Sequence, residues 1–396
     1  MVGEAIYRGA KKAILIITYA DYPGFSGLSR RLDGLIWGLK QRGFQIIVVA
    51  PIFRSIINVE NKSTLDVHLK RLNLRKLWDL FEESLLSKLL LALLLNIFAI
   101  AIAFAYRRYI SVIQCEHQPT FPAGFVASLL IGKPLICDEM NLLYIRHEGF
   151  LRTVLKFVEV FMFKRSALLI ASNRRTYEFA KCLSVKTILV PNGIFPPKFK
   201  PNWDKRIKAK KVVFTGSLSF SHNLIAIKKL IQIIEELLSE LPNLIILVIG
   251  GPITKYVKGL MRAKAVRRGA IKFLGFVSEE KLRKIYANSL IGLLPFFEDT
   301  PRYGGAEMKA LDYFAYRLIV ISGPEGIKGI DGIIPGDHFL LAQNLKELKE
   351  LLKSCFMNPA SYIHIAERGA KHVMNRYSWT VVAPKYAKAV ESLTVG

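Results

Sequence analysis

Lys309 and Asp312 are the first residues in this sequence whose types and spacing suggest chemistry. They follow the pair Gly304–Gly305 within the stretch Phe296–Ser322, FFEDTPRYGGAEMKALDYFAYRLIVIS. An apolar run, Ile291–Leu294, comes before the glycines. After them Met308, Leu311 and Phe314–Ala315 recur at helical spacing, and a second apolar run, Leu318–Ile321, closes the segment. Strand, glycine loop, helix and strand are the parts of an anion cradle. Glycines let the backbone approach a ligand closely, and a helix start presents unpaired N–H groups with a partial positive charge. Lys309 in the first turn adds to that charge, and Asp312, three residues on, shares its helix face. Physics alone leaves a second account open: an ordinary loop followed by an exposed i,i+3 ion pair.

A second group of polar residues gathers after apolar runs in the first half. Glu116 and His117 follow Val112–Cys115, and Asp138, Glu139, Met140 and Asn141 follow Pro134–Cys137. The loop Asp21–Gly27, DYPGFSG, follows Ala13–Tyr19 and lacks a full GxGxxG, so a dinucleotide fingerprint is absent. In open α/β sheets such strand ends are where ligands bind. His117 reads equally well as a hydrogen-bonded loop histidine. Three carboxylates and a histidine at neighbouring strand ends carry more weight than any one of them.

The elements that must position these residues alternate strand and helix. Ala13–Tyr19, a helix to Arg42 ended by Gly43, and Gln45–Pro51 form a βαβ unit whose strands are continuously apolar, as in a parallel sheet covered on both faces. Further strands are expected at Ala167–Ala171 and Thr187–Val190, with helices at Thr120–Ile131, Leu151–Arg165 and Arg174–Leu183. Pro191–Asn192–Gly193 is a turn signal, and Ile194–Lys210, rich in proline and lysine, reads as a linker. A fresh series then begins with strand Val212–Thr215, helix Asn223–Leu241 and strand Leu244–Ile249. A basic helix to Arg268, strand Ile271–Leu274 and a helix capped by Ser278 complete it. The fold class is therefore α/β: two Rossmann-like β/α/β domains facing a cleft, the sort of place where ligands bind.

At 396 residues the chain suits two domains, and 52% hydrophobic content argues against disorder. Cys115, Cys137, Cys182 and Cys355 show no metal-ligand spacing and read as buried thiols in a reducing compartment. The short apolar run near the N-terminus reads as a first strand, not a signal peptide. A net charge of +26 fits nucleic acid, anionic lipid or phosphorylated small substrates. No basic–aromatic interleaving or recognition-helix signature favours nucleic acid. Leu89–Tyr106, whose one clearly polar residue is Asn96, reads as a core helix, an interfacial helix or, least of all, a membrane span.

Taken together, these segments resemble retaining GT-B glycosyltransferases of family 4. The second half carries the likeness in VVFTGSLSFSHN (Val212–Asn223), the VIGGP run ending at Pro252, KFLGFV (Lys272–Val277) and EMKALDYFAYRLIVIS (Glu307–Ser322). In the first half GKPLICDEMN (Gly132–Asn141) and VPNGIF (Val190–Phe195) are similar to the family's acceptor domain and hinge. SWTVVAPKY (Ser378–Tyr386) is like its closing helix. The family's two glutamates fall on Gly304 and Asp312. Some members replace the first with a glycine-rich loop ending in a lysine, as here. The family's strand-end histidine is Met140.

The resemblance implies an acceptor-binding domain over 1–193, a linker over 194–210, a nucleotide-sugar donor domain over 211–376 and a C-terminal helix over 377–396 crossing back to the first domain. It implies a hexosyltransferase-like enzyme that moves a sugar from a nucleotide-activated donor to a glycan, lipid-linked or other acceptor, with retention of configuration. Lys309, Asp312 and His117 are the expected catalytic residues. Gly216, Ser217, Phe276, Val277, Gly304, Gly305, Lys309 and Asp312 would bind the donor, and Asp21, Gly27, Glu116, Asp138, Glu139 and Asn141 the acceptor. No DxD motif precedes the glycine loop, so no metal and no cofactor beyond the nucleotide-sugar donor substrate is expected. The expected place is cytoplasmic, with peripheral contact at the inner face of an anionic membrane. Alternatives are an epimerase or phosphorylase-like activity, or a weak or silent basic scaffold that binds anionic lipid or another polyanion.

Overall fold

The computed structural model describes residues 11–24, 26–52, 67–74, 85–299 and 307–394. The chain divides into two compact units, the first comprising the N-terminal part to Gly193 together with Trp379–Gly396. Its elements run β1 (Lys11–Ile17), α1 (Gly27–Gln41), β2 (Phe44–Ile52), β3 (His68–Asn73), α2 (Leu85–Ala105), β4 (Ile110–Glu116) and α3 (Phe121–Ile131). They continue with β5 (Leu135–Glu139), α4 (Gly149–Arg165), β6 (Leu168–Ala171), α5 (Arg174–Cys182) and β7 (Thr187–Leu189). The strands form one parallel sheet in the order β3-β2-β1-β4-β5-β6-β7.

The central strands β1, β2, β4, β5 and β6 lie where continuous apolar runs were expected, because a strand covered on both faces needs apolar side chains pointing both ways. Ile14, Ile16 and Val48 enter one core layer, while Leu15, Ile17 and Val49 enter the other. β3, HLKRLN, was not expected. It is a polar edge strand, and nothing in its pattern separates it from a loop.

The second unit begins at Ile194. It contains α6 (Trp203–Ala209), β8 (Lys211–Thr215), α7 (Ser221–Leu237), β9 (Ile245–Ile249), α8 (Lys255–Leu260), α9 (Lys264–Arg267) and β10 (Ile271–Gly275). There follow α10 (Glu279–Ala287), β11 (Ile291–Leu294), α11 (Met308–Ala315), β12 (Ile319–Ser322), β13 (Leu340–Leu341), α12 (Leu345–Met357) and α13 (Ile363–Tyr377). Its parallel sheet has the order β10-β9-β8-β11-β12-β13. The expected basic helix to Arg268 is two short helices, α8 and α9. Ser278 caps α10 as expected, its Oγ accepting from the Lys281 N–H.

Residues 194–210, read as a linker, are built into the second unit. Within them α6 carries Arg206, which is fully buried and donates to the carbonyls of Ala287, Arg317, Tyr286 and Tyr316. Burial pushes its guanidinium down to about 10, so it stays charged at neutral pH.

The last helix, α14 (Trp379–Glu391), packs in the first unit against α1. Gly34 and Gly38 make room for it: a Cβ on Gly34 would stand 1.9 Å from the Trp379 ring, and one on Gly38 2.7 Å from the Ala383 methyl. Tyr386 donates to Gln114 Oε1 at 2.7 Å, under the sheet.

Candidate active site

Each sheet reverses its winding beside its first strand, between β1 and β4 in one unit and between β8 and β11 in the other. Loops diverge at such switch points and leave a crevice at the carboxyl ends of the strands. The residues singled out from the sequence fall mostly on these two loop sets.

In the second unit β8 ends at Thr215, and Gly216 and Ser217 lead toward α7. A Cβ on Gly216 would stand 2.7 Å from Asn223 Nδ2, so the loop closes on the Asn223 side chain only because the residue is glycine. Asn223, in the first turn of α7, is buried and donates from Nδ2 to the Ser217 carbonyl at 2.8 Å. Its Oδ1 accepts from Lys309 Nζ at 2.6 Å. Lys309 therefore is not one half of an exposed ion pair. It is 8% exposed and Asp312 3%, both within α11. The ammonium also lies 4.7 Å from the centroid of the Phe296 ring and 5.1 Å from that of Phe214, with Glu307 Oε2 at 3.7 Å. Aromatic faces attract a cation without neutralising it, and the Glu307 carboxylate offsets part of its charge, so an ammonium is held in place at the start of α11.

Behind this group, the Tyr313 hydroxyl accepts from the Thr215 N–H at 2.8 Å, and Tyr286 donates to Thr215 Oγ1 at 3.0 Å. The two tyrosines pin the end of β8. Burial raises the Tyr313 hydroxyl well above its ordinary value, which keeps it neutral. Phe276 is exposed after β10, its ring placed where a Cβ on Gly251 would reach it at 2.6 Å, and Val277 is half-buried beside it. Gly304 and Gly305 lie outside the described residues.

In the first unit, Glu116 and Asp138 are register partners on β4 and β5. Asp138 is held bidentately by Arg31 of α1, at 2.7 and 2.9 Å, and Arg31 also donates to the Val190 carbonyl and to Asn192 Oδ1. Asp138 is thus already engaged in joining helix to sheet. Glu116 is buried, and its oxygens make no well-formed hydrogen bond among the described residues. Burial and then the Asp138 charge push it up to about 7. His117, the Thr18 hydroxyl and Arg31 offset this only in part.

His117 adopts φ 65° and ψ 166°, a region costing about 1–3 kcal/mol for a side chain-bearing residue. The Asp138 carbonyl and Thr120 hold it there. Its Nδ1 stands 3.6 Å from Glu139 Oε1, which also accepts from the Asn141 N–H. Burial works against the charged ring, but Glu139, Glu116 and Asp138 outweigh it, so the imidazole is raised above its ordinary value. The Asp21–Gly27 loop is tied down by Ser29, which donates to the Asp21 carbonyl, and Ser26 caps α1 where Gly27 begins it.

Three residues that matter here were not singled out beforehand: Asn223, Arg31 and Arg206. Asn223 had a detectable signal, a side-chain amide in the first turn after a glycine loop. Arg31 and Arg206 look like surface arginines until the fold buries them. Cys182 is a correction of the opposite kind, exposed rather than buried, while Cys115, Cys137 and Cys355 are buried thiols.

Residues 209–358 match the family described as glycosyl transferases group 1. No curated protein matches the chain by sequence. Among solved structures, Anabaena Alr3699/HepE in complex with UDP-glucose is similar at a TM-score of 0.70 with 16% identity, covering 96% of this chain and 100% of that one. Sucrose-phosphate synthase from Thermosynechococcus elongatus gives a TM-score of 0.72 with 14% identity, covering 97% and 100%. TarM from S. aureus, in a complex that includes UDP, gives a TM-score of 0.70 with 9% identity, covering 98% and 100%. The fold is thus the pair of Rossmann-like α/β domains seen in GT-B glycosyltransferases, and within the second unit residues 209–358 are similar to group 1 glycosyl transferases.

Proposed function

We propose that this chain is a retaining glycosyltransferase of the family 4 kind, taking a hexose from a nucleoside-diphosphate donor in the second unit to a hydroxyl on a glycan or lipid-linked acceptor in the first. The observation that carries the reading is the buried Lys309 ammonium, fixed by Asn223 at the start of α11. As the sugar–phosphate bond breaks, negative charge grows on the departing diphosphate. A preorganised cation and helix N–H groups stabilise that charge without having to reorganise. Lys309 supplies the positive charge itself, and we read the reaction as metal independent.

Gly216 and Ser217 would let the backbone approach the diphosphate, and Asp312 would bond the ribose hydroxyls. Phe276 would offer its exposed ring to the base, with Val277 beside it. His117, backed by Glu139, would take the acceptor hydroxyl, with Glu116, Asn141 and the Asp21–Gly27 loop around it. Asp138 would act through Arg31 as a positioning residue. A uridine nucleotide is the first donor to try, since the HepE and TarM structures carry UDP. We place the reaction at the cytoplasmic surface of a membrane.

Thermal shift with UDP, ADP and GDP tests the donor site. A ligand at a hundred times its Kd adds about 2.7 kcal/mol of apparent stability. One nucleotide should stabilise the wild type and not Lys309→Ala. No shift with any nucleotide would overturn the reading.

A further inference from the structure

We propose that the outer face of α2, α3 and α4 docks on an anionic lipid bilayer. α2 buries Leu91, Leu95, Ala99 and Ala103 in the first unit, an i,i+4 stripe. Asn96, the polar residue of that helix, is fully used: Nδ2 donates to the Ala92 and Pro119 carbonyls and Oδ1 accepts from the Ala123 N–H, which fastens α2 to α3. A second i,i+4 stripe, Leu89, Leu93 and Ile97, is more than half exposed. Among the described residues no helix is long and apolar enough to cross a membrane.

The apolar surface continues on the neighbouring helices. Leu129 of α3 is 68% exposed, and Phe150 and Phe157 of α4 are 84% and 73% exposed. α3 and α4 meet through Phe161, whose ring packs edge-on against Phe121 and Phe125. Scattered exposed apolar residues are ordinary, but a contiguous face of them marks a binding surface.

Charge decides what covers it. From Leu85 to Cys137 the one acidic residue is Glu116, and it is buried. α4 holds one more, Glu159, also buried, with its oxygens taken by the Leu143 and Tyr144 N–H groups and Gln118. The exposed charges at the edge are mainly basic, Arg107 and Arg108 just after α2 and Lys156 and Arg165 on α4, against one exposed carboxylate, Glu148, at the start of α4. Arg107 lies over the Phe104 ring at 4.3 Å and Arg165 over Phe161 at 5.3 Å, aromatic and cation side by side. Anionic headgroups meet such cations while acyl chains take the rings and leucines. A second copy would bring like charges together, in a chain already at +26.

Vesicle flotation tests the surface, using phosphatidylcholine vesicles with and without phosphatidylglycerol. The wild type should float with the anionic vesicles and scarcely with the neutral ones. Phe150→Ser combined with Phe157→Ser should abolish flotation. Arg107→Glu with Arg165→Glu should weaken it by roughly tenfold or more. All these positions are exposed and outside the donor site, so nucleotide-dependent thermal shifts should be unchanged, which separates failure here from failure of the donor assignment. Unimpaired flotation of the serine variant would overturn the proposal. So would a lipid-free dimer that the same variant dissociates.

Discussion

Lys309 Nζ and Asn223 Oδ1 are 2.6 Å apart, a buried charge-assisted hydrogen bond between the first turns of two helices that follow β11 and β8. Asn223 is spent twice, since its Nδ2 also holds the Ser217 carbonyl. The ammonium position and the shape of the glycine loop are therefore set by one side chain.

Asn223→Ala should cost about 1.5–3 kcal/mol, because it removes a bond to a charged group in a buried place. Asn223→Asp separates stability from binding. Its carboxylate pairs with the ammonium, gives up only the bond to the Ser217 carbonyl, and places negative charge where a diphosphate would go. Denaturant midpoints for both variants, with nucleotide titrations, check this. Unweakened nucleotide binding by Asn223→Asp would remove Asn223 from the donor site.

Gly216→Ala should act on the same bond from the other side. Its Cβ would stand 2.7–2.8 Å from three atoms of the Asn223 amide. Either that side chain turns away or the loop lifts, and overpacking of this sort costs about 1–3 kcal/mol. Loss of nucleotide-induced stabilisation at a temperature where the variant stays folded is the expected result.

Glu116 links stability to pH. Its folded-state value, about 7, exceeds the ordinary carboxylate value of 4.5, so between those limits the folded state holds more protons than the unfolded one. Stability should fall as pH rises through this window, by about 3 kcal/mol from this group alone. The raised His117 adds loss in the same direction as it deprotonates above its ordinary value. Glu116→Gln should be close to neutral at pH 4.5 and stabilising at pH 8, as urea midpoints at the two pH values would show. A difference that does not change with pH would refute the assignment.

The Arg31–Asp138 pair should show the asymmetry of buried ions. Arg31→Met or Asp138→Leu alone strands a charge, at about 3–5 kcal/mol, while the double variant should be much closer to wild type. A double-mutant cycle measures the difference. Additive losses would mean that the two residues do not act as a pair.

Much of the fold was legible because central parallel strands are apolar on both faces. Ile291–Leu294 was expected at those bounds and found there, and Val112–Cys115 was one residue short at its end and two at its start. β3 was hidden by its edge position, where HLKRLN needs no apolar pattern. Residues 194–210 look like a linker because proline and lysine dominate their composition, a pattern that gives no sign of the buried Arg206 and its bonds to backbone carbonyls of the second unit. Lys309 and Asp312 stand out by spacing, but their burial is not visible there, since an i,i+3 pair looks alike in water and in a core. Asn223 was missed for a related reason: the bond that matters most reaches Lys309, far away in sequence, and only the returning chain supplies it.

Arg206 has an effect at a distance. Tyr316 and Arg317, whose carbonyls it binds, close the carboxyl end of α11, the helix that begins beside Lys309. A peptide helix is electrically two-ended, and its negative end ordinarily cancels part of the field of its positive end. With a buried guanidinium seated on the far end, that cancellation is removed. α11 then behaves less like a dipole than like a source of one sign, its positive field directed outward from the Lys309 turn. Neutralising Arg206 would dim that field without touching the ammonium.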